Sequence, residues 1–312
     1  MTRSLALITA AAAWLCAAPA IAQDDRAADT SRQLLGFGWL FTDDLLGDDY
    51  DRWRTGSLAM SWVFGRDWQG HLPATFGELL EVRVDLAAIS PQDITTPSPN
   101  DRDYAGILGL GLHTHFSRNH LDYAIGAQLV ATGQQTGVAS LQSAFHEAIG
   151  SKRVSDLTRE NQIDDGFYPT VIAEVGRDYD LGPSTRLRPF AEARIGDESL
   201  VRIGADLTFG MVGRSELLVR DTTTGHRYRA MASGPAGFSF VVGADAAYVA
   251  DSIYLPNSGD LAFKEGRYRV RAGGQWQGKR ASMFYGLTYL SREFDSQPEG
   301  QFVGALNFKI RF

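Results

Sequence analysis

The sequence has a single cysteine, Cys16, and no surplus of basic residues. Cys16 lies in the opening MTRSLALITAAAAWLCAAPAIA, where one arginine precedes an apolar run that ends in small residues. This is the layout of a secretory signal peptide, with the cut expected after Ala22. The residues before the cysteine, Ala13-Trp14-Leu15, do not suit a lipoprotein cleavage site. The mature chain, 23–312, then carries no cysteine, which excludes disulfides and thiol chemistry. Removal of Arg3 leaves 29 basic against 37 acidic residues, about −8 with histidine neutral. A nucleic-acid binder would show a basic footprint instead. No later run of about 18 apolar residues is present, so no transmembrane helix is expected after the signal. There is also no internal repeat, low-complexity tract or linker, and the mature chain reads as one domain.

What is present is alternation. In Leu80 to Leu86, the apolar Leu80, Val82, Val84 and Leu86 oppose Glu81, Arg83 and Asp85. From Arg267 to Ala272, three arginines oppose Tyr268, Val270 and Ala272. Charged residues would be costly to bury inside a small soluble barrel, whereas a transmembrane barrel is polar inside and apolar outside. Twelve strands are expected, near 34–42, 54–65, 76–90, 104–117, 120–131, 166–180, 186–195, 199–210, 237–251, 265–276, 280–292 and 302–312. Twelve is even, as single-chain bacterial barrels require. The expected fold is therefore all-β: a 12-stranded antiparallel transmembrane β-barrel with one short extracellular-side helix. The last strand ends on Phe312, like the sorting signal that the barrel-assembly machinery reads in the cell outer membrane of Gram-negative bacteria. With the N-terminus on the periplasmic side, links at 117–119, 181–185 and 274–279 are short and periplasmic. Links at 91–103, 132–165 and 252–264 are longer and extracellular. The segment 211–236 breaks this rule, being long on the periplasmic side and able to hold another hairpin.

The expected helix is SLQSAFHEAIG, 140–150, with Ser140 to cap it and Gly150 to end it. Gln142 and His146, four residues apart, share one face. Strand direction brings them to the outer rim together with Asp43, Asp44, Arg54, Thr55, Asp101, Arg102 and Tyr104. Asp43, Asp44, Asp48, Asp49 and Asp51 form either a solvated acidic loop or a supply of hard oxygen ligands for Ca²⁺. His113 and His115 point the same way, as a metal pair or as plain lumen residues. Asn161 and Gln162 suit a turn. A neutral histidine can take a proton from water, and a nearby cation can stabilise an ester oxyanion.

Four stretches together resemble the outer-membrane lipid A 3′-O-deacylases. FTDDLLGDDYDRWRTG is similar to that family's opening Asn-Asp, Asp-Arg and Thr. NDRDYAG (100–106) is similar to its Asp-Arg-x-Tyr-Ala-Gly. SLQSAFHEAIG matches its Gln-x-x-x-His helix, and ENQIDD (160–165) a Gln-centred segment after it. The resemblance spans most of the mature chain. It implies Ca²⁺-dependent removal of the 3′-linked acyloxyacyl chain of lipid A, the lipopolysaccharide anchor. It also implies that His146 activates water and Gln142 supports it, that Asp43, with Asp44, holds calcium, and that Thr55 and Arg102 line and shape the site. The chain departs from the family in three places. The family's Asn is Thr42 here, or Asp43 with a one-residue slip. Gly56-Ser57 stand where Asn-Gly is common. Asp103 stands where Pro is usual. The alternatives are a catalytically silent lipid A-binding barrel of the family, another outer-membrane lipid esterase or phospholipase, and a passive porin. Glu147-Ala148 after the histidine lack the serine of the phospholipase pattern.

Overall fold

Strands whose residues alternate between apolar and charged need a wall with two unlike sides. The computed structural model of the chain supplies one, and it describes residues 31–231, 234–257 and 259–310. The signal segment and Phe312 lie outside these. In chain order the strands are β1 (Gln33–Asp43), β2 (Trp53–Gly65), β3 (Leu79–Ser90), β4 (Ala105–Arg118), β5 (Leu121–Thr132), β6 (Gly166–Gly176), β7 (Tyr179–Gly182) and β8 (Thr185–Ile195). They continue as β9 (Glu198–Gly210), β10 (Leu217–Arg220), β11 (Arg227–Met231), β12 (Gly237–Ser252), β13 (Gly266–Gln277), β14 (Ala281–Leu290) and β15 (Gln301–Ile310).

Twelve of these make one antiparallel barrel. Neighbours in sequence pair from β1 to β6, β6 pairs with β8, and β8 leads through β9, β12, β13 and β14 to β15, which returns to β1. The short β7 extends the hairpin into β8. The two sides of the wall follow the sequence period of two. Val201, Ile203, Tyr268 and Val270 are more than half exposed on the outside. Glu81, Arg83, Asp206, Asp245, Arg269 and Arg271 are buried in the lumen.

Most lumen charges are paired. Arg271 bridges Asp206 and Asp245, each at 2.5 Å, and Arg269 Nε meets Asp245 at 2.9 Å. A buried ion network adds little net stability, but removing one partner strands the others in a poor solvent. Arg271→Met is therefore expected to destabilise the barrel by roughly 3–5 kcal/mol. The drop is measured as a lower temperature for loss of the folded band's mobility in a gel.

The segment 211–236 is neither a periplasmic loop nor an extra wall strand. It contains β10 and β11, which pair only with each other and turn into the lumen. Leu217, Val219, Tyr228, Ala230 and Met231 pack against the inner-wall residues Leu40, Ala59, Val63, Phe284 and Ala305. Close approach needs glycine on β1. A Cβ at Gly38 would collide with the backbone of Arg229 and Ala230, and one at Gly36 with Met231. The hairpin is tied down by charge as well, through Arg220 to Glu174 (2.6 Å) and Asp206 (3.0 Å).

It sits behind the barrel's thinnest seam. Strand β1 pairs with β15 over only three positions, Phe41–Leu306 to Asp43–Gly304. Beyond these, side chains replace the ladder: Asn307 Nδ2 donates to the carbonyl of Trp39 (2.6 Å) and Lys309 Nζ to that of Phe37 (3.3 Å).

Links at the two ends differ, with exceptions. At the periplasmic end the turns after β4 and β13 take two and three residues, but the link 66–78 is long. The long links 91–104, 133–165, 253–265 and 291–300 gather at the outer end, together with the two-residue turn after β8. The 133–165 link holds two helices rather than one: α1 (Val138–Ile149) and the five-residue α2 (Asp156–Glu160). Single 3-10 turns occur at Asp44–Leu46 and Gln134–Thr136.

Candidate active site

Helix α1 starts two residues earlier than the sequence suggested. Gly137, in a left-handed conformation (φ 68°), makes the turn into it, so Ser140 falls inside the helix and caps nothing. Its end is as expected. Gly150 is left-handed (φ 79°), and the amides of Gly150 and Ser151 return to the carbonyls of Glu147 and His146. The helix lies on the outside of the barrel. Val138 and Ala139 pack on Ala88 and Tyr104, with Leu86 at the edge, and Ala88 and Leu86 share the outward face of β3. Phe145 meets Phe41 of β1 edge-on at 5.9 Å. Helix α2, capped by Ser155, sends Arg159 back to α1, where Nη2 donates to Ser143 Oγ (2.8 Å) and to the Ala139 carbonyl (3.4 Å).

This packing fixes His146, which is 6% exposed. Its Nδ1 lies 2.5 Å from the Lys152 carbonyl. A carbonyl only accepts, so Nδ1 carries the proton and Nε2 of the neutral ring is the basic nitrogen. No hydrogen bond from the described residues engages Nε2. Asp51 Oδ2 sits 3.4 Å from Nδ1. Asp51 Oδ1 accepts from Thr55 Oγ1 at 2.6 Å. Thr55 is the unpaired residue of a bulge, because the β2–β3 register runs from Arg54–Ile89 directly to Gly56–Ala88. A bulge re-aims side chains. Here Arg54 turns into the lumen to Glu293 (2.8 Å) while Thr55 reaches Asp51.

Asp43 is the last residue of β1 and shares the outward face of Phe41. A Cβ on Gly56 would stand 3.4 Å from Asp43 Oδ2. Asp44 Oδ2 accepts the Arg52 amide at 2.9 Å. Burial, with Asp43 and Asp51 close by, pushes the Asp44 carboxyl up to about 9. Asp51 Oδ2 is buried without a hydrogen-bond partner. Three crowded carboxyls, one with an unsatisfied oxygen, fit a hard divalent cation. Among the described residues, however, no group of three or more such side chains already has metal-site geometry. Thr42 is buried on the opposite face of β1. It is therefore Asp43, not Thr42, that stands beside this cluster.

Gln142 Oε1 accepts from Tyr104 OH at 2.8 Å. Burial raises the Tyr104 phenol, so it remains a donor and leaves both Gln142 N–H groups free to act. The ENQIDD stretch holds Tyr104 in turn, since the Ile163 amide donates to the Tyr104 carbonyl (2.9 Å). Asn161 ends α2 and Gln162 Nε2 returns to the Arg159 carbonyl (2.8 Å).

Arg102 is drawn elsewhere. It is buried at the lumen mouth, paired with Glu293 beside Arg54. No hydrogen bond or ion pair among the described residues joins it to His146. His113 and His115 are lumen residues: His115 Nε2 meets Glu81 at 2.7 Å, and His113 faces Gln128 at 3.2 Å. Asp48 and Asp49 belong to the loop itself. Asp48 accepts from the Phe302 amide (3.1 Å), and Asp49 is left-handed (φ 62°). Sequence reasoning passed over two site groups, the Lys152 carbonyl and Arg159. It counted Asp51 among five acidic residues without singling it out.

The family model for outer membrane protein LpxR matches residues 7–312. LpxR from Salmonella typhimurium superposes with a TM-score of 0.71 at 16% identity, over 89% of this chain and 100% of that one. NanC porin superposes at 0.41 with 6% identity, over 89% of this chain and 100% of its own, too distant to carry an argument. No curated protein sequence matches significantly. The barrel lies in the outer membrane, and the chain belongs to the LpxR family, the lipid A 3′-O-deacylases that its four motifs resemble.

Proposed function

We propose that the protein hydrolyses the 3′-linked acyloxyacyl ester of lipid A in the outer leaflet, with water activated by His146. The observation that carries this reading is a histidine whose Nδ1 is fixed by the Lys152 carbonyl and Asp51, set on the outside of the wall at the rim. A catalyst for a soluble substrate has no reason to face lipid. Lipid A presents its ester bonds there, with the acyl chains in the membrane.

In the reaction, Nε2 takes a proton from water and the hydroxide adds to the ester carbonyl. The tetrahedral oxyanion collapses, the C–O bond to the sugar breaks, and the sugar oxygen takes the proton back from the imidazolium. The products are a free acyloxyacyl acid and a 3′-hydroxyl. Asp51 stabilises the charged imidazole between these steps. Gln142, held by Tyr104, offers N–H donors to the water or the oxyanion. Asp43, Asp44 and Asp51 would hold Ca²⁺, which would supply positive charge to stabilise the oxyanion. The lumen hairpin and its ion pairs fill the space a porin needs open, which favours the enzyme over a passive pore.

Calcium binding has a test independent of turnover. A ligand that binds only the folded state raises stability by RT ln(1 + [L]/Kd), about 2.7 kcal/mol at a hundredfold excess over Kd. Millimolar Ca²⁺ is expected to raise the thermal midpoint of the parent protein, and Asp44→Asn to remove most of that rise. Equal rises in both would exclude the acidic cluster as the calcium site.

A further inference from the structure

The opposite end of the barrel holds a second polar cavity. It measures about 430 Å³ and is walled by the hairpin and by the periplasmic turns, with Trp68, Leu72 and Tyr123 on its rim. Five arginines reach it: Arg83, held by Glu81 at 2.8 Å, and Arg186, Arg188, Arg220 and Arg227. Three carboxylates answer the last four. Arg188 meets Asp122 (2.8 Å), Asp178 (3.4 Å) and Glu174 (3.6 Å). Arg220 takes Glu174 at 2.6 Å, and Arg186 takes Asp178 at 3.5 Å. The other acids are committed elsewhere. Asp206 also serves Arg271, Glu192 pairs with Arg202, and Glu216 with Arg229.

Arg227 is left over. Its one hydrogen bond goes to the Leu218 carbonyl at 3.3 Å, and no carboxylate among the described residues lies within ion-pair distance. Arg188 and Arg220 repel it, and Asp178 and Glu174 attract it from beyond ion-pair range. Arg186, Arg188 and Arg220 line the cavity beside it. The cavity therefore holds one arginine with no carboxylate in ion-pair range, set beside three others that share their carboxylates. Guanidinium forks match tetrahedral oxyanions well.

We propose that this cavity is a binding site for a small soluble oxyanion of the phosphate class, entering from the periplasm. Several acceptor oxygens on one centre satisfy donors that come from different strands, and the negative charge balances Arg227. A lipid headgroup has no apolar path for its chains through a lumen of arginines and carboxylates. The site lies at the other end of the barrel from His146 and does not depend on the ester reaction.

The test is calorimetric titration of inorganic phosphate into the full-length protein in a zwitterionic detergent at low salt. Saturable binding is expected. Arg227→Gln should weaken it at least tenfold, and Asp178→Asn should tighten it severalfold, because that variant enlarges the positive surplus. A purely structural arginine predicts no tightening in the second variant. Heat-dependent gel mobility checks that each variant has folded. No saturable heat in the parent, or equal affinity in folded Arg227→Gln, would overturn the proposal. Displacement of phosphate by phosphatidylglycerol in the same micelles would overturn the assignment to a soluble ion.

Discussion

Replacing His146 with alanine is expected to lower deacylation of lipid A by about 10³–10⁴-fold, the upper range for loss of a general base, and to leave the barrel intact. In barrier terms this is about 4–5.5 kcal/mol. Nothing else near the site can take over. Asp51 and the Lys152 carbonyl lie on the Nδ1 side of the ring, away from Nε2. The carboxyl of Asp44 is shared with a backbone amide and crowded by two other acids. The structural cost is one hydrogen bond, about 1 kcal/mol. It is local, because Arg159 and the Phe41–Phe145 contact still hold α1 to the wall. Fatty-acid release from purified lipid A, with folding followed by gel mobility, separates lost chemistry from lost structure. Activity within tenfold of the parent would remove His146 from the mechanism.

The second large effect is expected at Asp51, which sequence reasoning did not single out from its acidic neighbours. It joins the two halves of the constellation, with Oδ1 on Thr55 and Oδ2 near His146. Asp51→Asn keeps the shape and removes the charge. The imidazolium then forms at higher cost, as in other histidines that lose an orienting carboxylate. The expected loss is smaller than at His146, about 10²–10³-fold in kcat, because the Lys152 carbonyl still fixes the tautomer. KM should change little, since the carboxylate acts on a charge formed only during reaction. The Ca²⁺ response should weaken in parallel. A variant with normal kcat and raised KM would make Asp51 a substrate contact instead.

The wall was readable because lipid on one side and charge on the other write a period of two into each strand. Glu81-Val82-Arg83-Val84 needs no context to be placed. The hairpin at 217–231 was not, because it has no lipid side. Tyr228, Arg229, Ala230 and Met231 are all buried in succession, so alternation disappears. The start of α1 was misplaced for a local reason. Ser140 is a good cap by type, but the left-handed Gly137 had already turned the chain. His146 and Gln142 were visible as a helical pair, and the structure keeps them beside the wall. Asp51 was hidden among five acidic residues, and only the bulge at Thr55 distinguishes it. Arg102 shows the opposite limit. Strand direction brought it to the correct rim, yet Glu293, in a link near the C-terminus, draws it inward. No local pattern announces a partner 191 residues away.

Mass spectrometry of lipid A from a Gram-negative host expressing the protein tests the central claim most directly. The account predicts a species lighter by the 3′-linked acyloxyacyl chain, present with the parent protein and absent in cells without it. Unchanged lipid A, with folded protein shown in the outer membrane, would contradict it and leave a barrel that holds the family's site without performing its reaction.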